Sequence, residues 1–266
     1  MQRAMPPELV SRLERARSAS GDELKSLVHA AEEDILLAVL DNPNLEEPHA
    51  VTLLNRLDLT PHVLSAIATK ENWISSEAVR LRLAAHPRTP KRIALAAVRQ
   101  LYLFDLVRLS LLPSAPADIK RVAEGLIVAR VPHLPVGEKL TLARRGPSRV
   151  AGALLAEGHP QVVKLALGNA FLRESQVLKI LAAPDVPDRA IAAIAQHPKW
   201  SCQYNVRVAL VRNARTSVQT ALEFLPHLTE SDLKEISRME EWSPFLRKYI
   251  LRDLARRQGT AEKDGG

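Results

Sequence analysis

The sequence predicts an all-α protein, a right-handed α-solenoid of about five short helical repeats with helical caps. Composition favours helices over sheets, because 46% of the residues are hydrophobic while aromatic residues make up only 4% and glycine occurs 10 times. The stretch "VRLRLAAHPRTPKRIAL" (residues 79–95) returns in related form as "VRVALVRNARTSVQTAL" (residues 206–222). In both copies apolar residues recur four positions apart, which places them on one face of a helix.

The first 30 residues predict an N-terminal helical cap. A helix is expected over residues 7–17, and in the following "SASGDE" Ser20 or Asp22 can cap a second helix that runs through Ala31. The repeats are then expected to occupy residues 31–240, which form the solenoid.

Each repeat is expected to begin with a helix that ends at an anchor residue. Three of the five anchors are followed by proline, which cannot continue a helix and which moves the preceding residue out of the α region. The helix ends are therefore predicted on stereochemical grounds. The anchors, spaced by 44, 45, 38 and 44 residues, are Asn42, His86, Val131, Asn169 and Asn213.

A second amphipathic helix is expected to start a few residues after each anchor. Apolar residues recur eight, nine and twelve positions beyond the anchor, which again places them on one helical face. Threonines and prolines mark the starts of the helices that follow, as caps and as first-turn residues. These are Thr60, Thr89, Thr216 and Thr229, with Pro61, Pro90 and Pro135.

Further helices are expected over residues 61–69, 117–129, 188–196 and 231–239. The tryptophans Trp73, Trp200 and Trp242 are separated by 127 and 42 residues, and each precedes a predicted helix, so they are expected to pack between repeats. A capping helix is predicted within residues 241–257. The tail, residues 258–266, has no apolar residues to bury beyond one alanine and is expected to be disordered.

The repeated motif resembles known helical-repeat families. The chain is similar to the HEAT and armadillo superfamily over roughly residues 30–257, and "VRLRLAAHPRTP" and "VRVALVRNARTS" look like the leucine-rich repeat variant, whose consensus is Val-Arg-x-x-Ala-x-x-Asn-Pro-x-Thr-Pro. This resemblance implies stacked helices that bind a partner over a long surface. The iron–sulfur cluster of the variant family cannot be carried over, because Cys202 is the single cysteine.

Positive charge is concentrated in the middle of the chain. Of the net charge of +7, residues 1–70 contribute −4, residues 71–150 contribute +8 and the remainder contributes +3. Cations repeated at one register can line a ridge that binds phosphates or an acidic peptide. Alternatively, their stems cover apolar surface and their heads pair with neighbouring acids. The candidate binding residues are Arg80, Arg82, Arg92, Arg144, Arg145, Lys164 and Arg207.

Catalytic chemistry finds little support in the sequence. No histidine pair has metal-ligand spacing, and no nucleotide-binding or nucleophile motif is present, so no metal, cofactor or small-molecule substrate is expected. No charged-then-apolar leader opens the chain and no apolar run approaches the roughly 18 to 20 residues of a membrane span. The expected location is a bacterial-type cytoplasm, with no membrane contact.

The sequence therefore predicts a non-catalytic binding or scaffold protein whose partner is a protein or an acidic peptide. The alternative is sequence-independent binding of nucleic acid by the basic central repeats, which predicts a steep salt dependence. A third interpretation rests on a resemblance to HEAT-like DNA glycosylases, in which a concave surface binds DNA and an Asp with aromatic residues handles the lesion. No Asp of this sequence is singled out for that role by a motif.

Overall fold

The protein is all-helical, as the sequence predicts. The computed structural model describes residues 6–239 and 244–261, with side chains as far as residue 257. Within these residues there are 20 α-helices, which account for 73% of the chain, and no strand. None of the described helices has the length and apolar character needed to cross a membrane. Trp242 and residues 262–266 of the predicted tail lie outside the described residues.

The chain divides into two compact units, Met1–Ala129 and Arg130–Gly266. Unit 1 contains ten helices in its described part. They are α1 (Pro7–Ser18), α2 (Gly21–Leu27), α3 (Glu33–Leu40), α4 (Glu47–Leu54), α5 (Pro61–Ala68), α6 (Glu71–Ile74), α7 (Glu77–Ala85), α8 (Lys91–Arg99), α9 (Leu103–Leu111) and α10 (Ala117–Arg130).

Unit 2 repeats this order of helices, because α11 starts 129 residues after α1 and each of the other nine helices starts 127 residues after its counterpart in unit 1. Its helices are α11 (Val136–Arg145), α12 (Ser148–Ala156), α13 (Pro160–Leu167), α14 (Glu174–Leu181), α15 (Asp188–Gln196), α16 (Pro198–Ser201), α17 (Tyr204–Arg212), α18 (Val218–Phe224), α19 (Glu230–Ser237) and α20 (Pro244–Ala261). Short 3-10 helices occupy Val131–His133 and Leu225–His227.

The predicted helices agree closely with the observed ones. Those expected over residues 7–17, 117–129 and 188–196 are α1, α10 and α15, with ends that differ by at most one residue. The α20 helix extends beyond its predicted end at residue 257 and includes residues 258–261, so the prediction of a disordered tail is wrong for these four residues. The α2 helix is shorter than expected, because it ends at Leu27 and not at Ala31.

Helix capping follows the sequence prediction at only some positions. Thr60 and Thr229 accept the backbone N–H of the third residue that follows, which is the expected N-cap bond. The prediction is wrong for Thr89 and Thr216. Pro90 is the N-cap residue of α8, and Ser217 caps α18 by accepting from the Thr220 N–H at 3.1 Å. At the start of α2, Ser20 occupies the N-cap position but makes no side-chain capping bond.

Two anchor asparagines follow one helix and form side-chain hydrogen bonds with the end of an earlier helix that packs against it. Asn42 follows α3, is 4% exposed, and donates from Nδ2 to the carbonyls of Ala16 (2.8 Å) and Ala19 (2.9 Å) at the end of α1. Its counterpart Asn169 follows α13, is 2% exposed, and donates to Ala143 (2.8 Å) and Gly146 (3.0 Å) at the end of α11. These bonds satisfy carbonyls that a helix end leaves without an intrahelical partner.

His86 and Asn213 fulfil the same role at the next anchors. His86 Nε2 lies 2.7 Å from the Arg56 carbonyl, and Asn213 Nδ2 donates to the Leu181 carbonyl at 2.6 Å. The other polar atom of each side chain accepts a backbone N–H two residues ahead, as Asn42 and Asn169 also do. Four of the five anchors therefore have a side chain with both a donor and an acceptor, which adds to the stereochemical reason given by the sequence. The fifth, Val131, is apolar and lies buried at the start of a 3-10 helix.

Each unit has a buried core that includes a tryptophan at an equivalent place. Trp73 in α6 is 7% exposed and Trp200 in α16 is 2% exposed. The Trp200 indole donates from Nε1 to the Leu167 carbonyl at the end of α13, at 2.9 Å. Both tryptophans lie within short helices of their own, where the sequence places them before a helix, and both are buried in the core of their unit.

Candidate functional site

Arg80 and Arg207 hold equivalent positions in α7 and α17 and make equivalent contacts. Each side chain is partly buried and donates to a carbonyl six residues earlier, that of Ile74 (3.3 Å) or Ser201 (2.6 Å). These carbonyls belong to the last residues of α6 and α16, the helices that contain Trp73 and Trp200. Both arginines therefore hold a helix end in place, and their partner is a backbone carbonyl and not the neighbouring acid that the alternative interpretation predicts.

Arg82 is also partly buried and engaged within unit 1. Its Nε donates to the side-chain oxygen of Asn55 at 2.9 Å, and its Nη1 donates to the Ala78 carbonyl at 3.3 Å. Asn55 directly follows α4, so the contact joins the end of α4 to the middle of α7. Arg82 thus joins two neighbouring helices of the unit and is not a free cation.

The remaining four candidates are exposed. Within the described residues, no hydrogen bond or ion pair involves the side chains of Arg92, Arg144, Arg145 or Lys164. Arg144 and Arg145 form the last turn of α11, where their charge interacts favourably with the helix dipole. These four side chains keep the donors that an acidic partner requires.

The structure brings only part of the predicted set together. Arg144 and Arg145 lie on α11 and Lys164 lies on α13, two helices of unit 2 that pack against each other and that Asn169 joins at their ends. Arg92 belongs to unit 1. The seven candidates are therefore split between the two units, and three of them are held by internal bonds.

A small groove lies between α4, α7 and α9 in unit 1. Its volume is about 180 Å³, and it is lined by Leu54, Leu57, Leu81, Arg82 and Arg108 among others. Leu57 is 62% exposed, so an aliphatic side chain stands open to solvent at its edge. We refer to this cavity as the unit 1 groove.

A larger groove lies at the corresponding place in unit 2, between the end of α14 and one face of α17. Its volume is about 700 Å³, within the range of cavities that bind ligands. Its walls are formed by apolar side chains and its polar groups come mainly from arginine and asparagine. We refer to this cavity, lined by Leu178, Leu181, Ala182, Val208, Ala209, Arg212 and Arg215 among others, as the unit 2 groove.

Two equivalent lining positions carry long polar side chains in unit 1 and alanines in unit 2. In unit 1, Arg82 and Asn55 extend towards each other and meet in a hydrogen bond. The residues 127 positions later are Ala209 and Ala182, which line the unit 2 groove but are too short to cross it. The side chains that fill the unit 1 groove are thus absent at the equivalent place in unit 2.

The electrostatics of the unit 2 groove centre on Arg212. Its Nη2 donates to Glu235 at 2.5 Å and lies 3.7 Å from Asp232, while its Nε is buried without an acceptor among the described residues. The pKa of Asp232 is lowered, chiefly by a hydrogen bond from the Tyr204 hydroxyl. Among the described residues that line the two grooves, none is acidic.

The sequence prediction missed both grooves and the two arginines of the unit 2 groove, Arg212 and Arg215. A signal was present, since the two "VR" stretches differ at the positions of Arg82 and Ala209. This difference becomes informative only when the pairing of Arg82 with Asn55 is known. No group of three or more His, Cys, Asp or Glu side chains in the described part of the chain is placed to hold a metal ion.

Comparisons with protein-family models, with curated proteins and with solved structures found no match to this chain.

Proposed function

We propose that this chain is a non-catalytic helical-repeat protein that binds an extended segment of a protein partner. In this proposal each unit is a stretch of right-handed superhelix built from HEAT-like repeats of the leucine-rich variant type. The observation that supports it most is that the same kind of hydrogen bond recurs at four anchor residues. In each case the anchor side chain bonds to a carbonyl at or near the end of an earlier helix, and these anchors are Asn42, His86, Asn169 and Asn213. Helices stacked in this way expose long, rigid surfaces suited to many shallow contacts.

The charge of the exposed surface favours an acidic partner. Arg92, Arg144, Arg145 and Lys164 are exposed and make no internal ion pair in the described residues. Guanidinium groups form strong, directional hydrogen bonds with carboxylates. We therefore infer that the partner is an acidic protein or peptide segment, bound in the cytoplasm.

The test is capture of partners by the tagged full chain from a host lysate, with and without nuclease. We expect a protein that stays bound after nuclease treatment and that, once purified, binds the full chain directly in a titration. The double variant Arg144→Glu with Arg145→Glu is expected to weaken this binding at least about tenfold, by loss of charge-assisted bonds. Lys248→Glu with Arg189→Glu, which reverses two exposed cations elsewhere in unit 2, is the matched control. Failure of every nuclease-resistant protein to bind after purification would overturn the proposal.

Nucleic acid is the second candidate, favoured by the same four free cations. It makes a separate prediction, because release of counterions makes phosphate binding fall steeply as salt rises. Capture that disappears with nuclease, together with duplex binding whose affinity drops by orders of magnitude between low and physiological salt, would replace the protein partner with nucleic acid.

A further inference from the structure

The unit 2 groove has the dimensions of a site for a short extended peptide. Its lining residues on α17 include Asn205, Val208, Ala209 and Arg212, which lie on one face of the helix. From Asn205 to Arg212 the helix rises about 10 Å at roughly 1.5 Å per residue, and an extended peptide covers this in about three residues. The volume of about 700 Å³ is sufficient for such a segment.

The polar groups of the groove are matched to a ligand that supplies acceptors. The arginines Arg212 and Arg215 line it, and no lining residue in the described chain is acidic. Glu235 engages Nη2 of Arg212, while the buried Nε–H of Arg212 has no acceptor within the described residues. This Nε is closed to solvent, so a ligand oxygen in the groove accepts from Nη1 of Arg212, which makes no hydrogen bond within the described residues.

The apolar walls of the groove favour a ligand that has an aliphatic side chain next to its hydrogen-bond acceptor. Leu178, Leu181 and Val208 supply apolar surface, and Ala182 and Ala209 leave the space between them open. A peptide with a carboxylate next to a small aliphatic side chain satisfies both features, since the carboxylate accepts from the arginines and the aliphatic group packs on the wall. Arg215 is held by Asp188 at 2.9 Å and Arg212 by Glu235 at 2.5 Å, each through only part of its guanidinium group. Arg212 shares a helix face with Val208 and Ala209 of the groove, so it is the main donor to the ligand.

We propose that the unit 2 groove is the site at which this protein binds an acidic, aliphatic peptide segment, with a carboxylate on Arg212. This inference rests on the proposed function and assigns the partner's segment to one groove. The unit 1 groove, filled by Arg82 and Asn55, does not bind such a peptide.

The experiment transfers the side chains that fill the unit 1 groove to unit 2. The double variant Ala182→Asn with Ala209→Arg places in α14 and α17 the pair that already bonds in unit 1 as Asn55 and Arg82. Because this pair is compatible with the same helix arrangement, the variant is expected to fold, as judged by circular dichroism and urea unfolding. The matched control, Ala156→Asn with Ala192→Arg, makes the same replacements at exposed alanines outside the groove.

The probe is an array of octapeptides built from Glu, Asp, Leu, Val and Ala, with a second array in which Gln and Asn replace the acids. The best acidic octapeptide is then labelled and titrated against each full-length protein. We expect binding to the wild type and to the control, at least tenfold weaker binding to the filled variant, and a similar loss for the amide version of the peptide.

The outcomes separate this inference from the proposed function. Equal binding of the acidic peptide to the wild type and the filled variant would overturn the groove assignment. So would a captured protein partner that binds the filled variant as tightly as the wild type, which would leave the proposed function in place. Absence of any directly bound protein partner would remove the proposed function itself. Failure of every array peptide to bind the wild type would show that the ligand class is wrong and would overturn this inference.

Discussion

At the scale of single residues, the anchor positions show how one structural task is met by two side-chain types. Asn213 and His86 each donate to a carbonyl at or just after the end of an earlier helix, α14 for Asn213 and α4 for His86. Each also accepts the backbone N–H two residues ahead. Both side chains offer one donor and one acceptor at a suitable separation. For His86 this requires the neutral imidazole, with Nε2 protonated and Nδ1 accepting from the Arg88 N–H at 3.1 Å.

This requirement predicts a pH dependence at His86. Burial lowers the pKa of His86 below its ordinary value of 6.5, so the unfolded chain takes up a proton first as the pH falls. The stability contributed by the neutral ring is complete above pH 6.5 and declines below it, down to the lower pKa of the folded state. In His86→Asn, which copies Asn213, the urea midpoint is expected to fall less between about pH 7.5 and about pH 5.5.

The control for this measurement is His133→Asn, at an exposed histidine. That variant is expected to show the same fall in midpoint as the wild type. An equal fall in His86→Asn and the wild type would show that the anchor does not titrate during unfolding.

At the scale of secondary-structure elements, the turns between helices explain where sequence-based capping rules hold and where they do not. The turn from α17 to α18 contains Thr216, which is 4% exposed and donates its hydroxyl to the Leu210 carbonyl at 2.6 Å. At the equivalent place between α7 and α8, the hydroxyl of Thr89 is buried and has no partner in the described residues. Ser217 is the N-cap residue of α18 and Pro90 is that of α8, so neither threonine caps a helix and both are buried.

This pair of turns predicts opposite effects for one substitution. Thr216→Val removes a hydrogen bond and is expected to lower the free energy of unfolding by about 1 kcal/mol. Thr89→Val replaces an unpaired buried hydroxyl by a methyl group of similar size, so it is expected to leave stability unchanged or to raise it by up to about 1 kcal/mol. Urea unfolding of the two variants checks both values. A larger loss for Thr89→Val than for Thr216→Val would contradict the assigned hydrogen bonding.

At the scale of the whole molecule, the main feature is that the ten-helix order of unit 1 recurs in unit 2. Identical residues occupy matching structural positions, among them Trp73 and Trp200 in the short helices and Arg80 and Arg207 that hold the ends of those helices. Equivalent places also diverge, as Arg82 and Ala209 do in the grooves. The two units therefore share a packing plan but present different surfaces.

Because each unit is compact and contains its own buried tryptophan, each is expected to fold when produced alone. Chains of residues 1–129 and 130–261 are expected to be helical by circular dichroism and to unfold cooperatively in urea. As a control, a chain cut within unit 1 after residue 75, which separates Trp73 from α7, is expected to lose this cooperativity. Loss of helical structure in both halves would show that the units are not independent.

The sequence by itself determined the helical class, most helix ends and the repeated register. These properties are local, because a proline or an apolar period of 3.6 acts within a few residues of its own position. Only the tertiary structure decided the roles of the polar residues. Asn169, His86 and Asn213 bond to carbonyls 23 to 32 positions away, and Arg82 fills a groove by meeting Asn55, 27 positions earlier. Such partners depend on how helices pack. The sequence therefore predicts Arg82 to be a free cation, whereas in the fold its side chain forms a structural hydrogen bond.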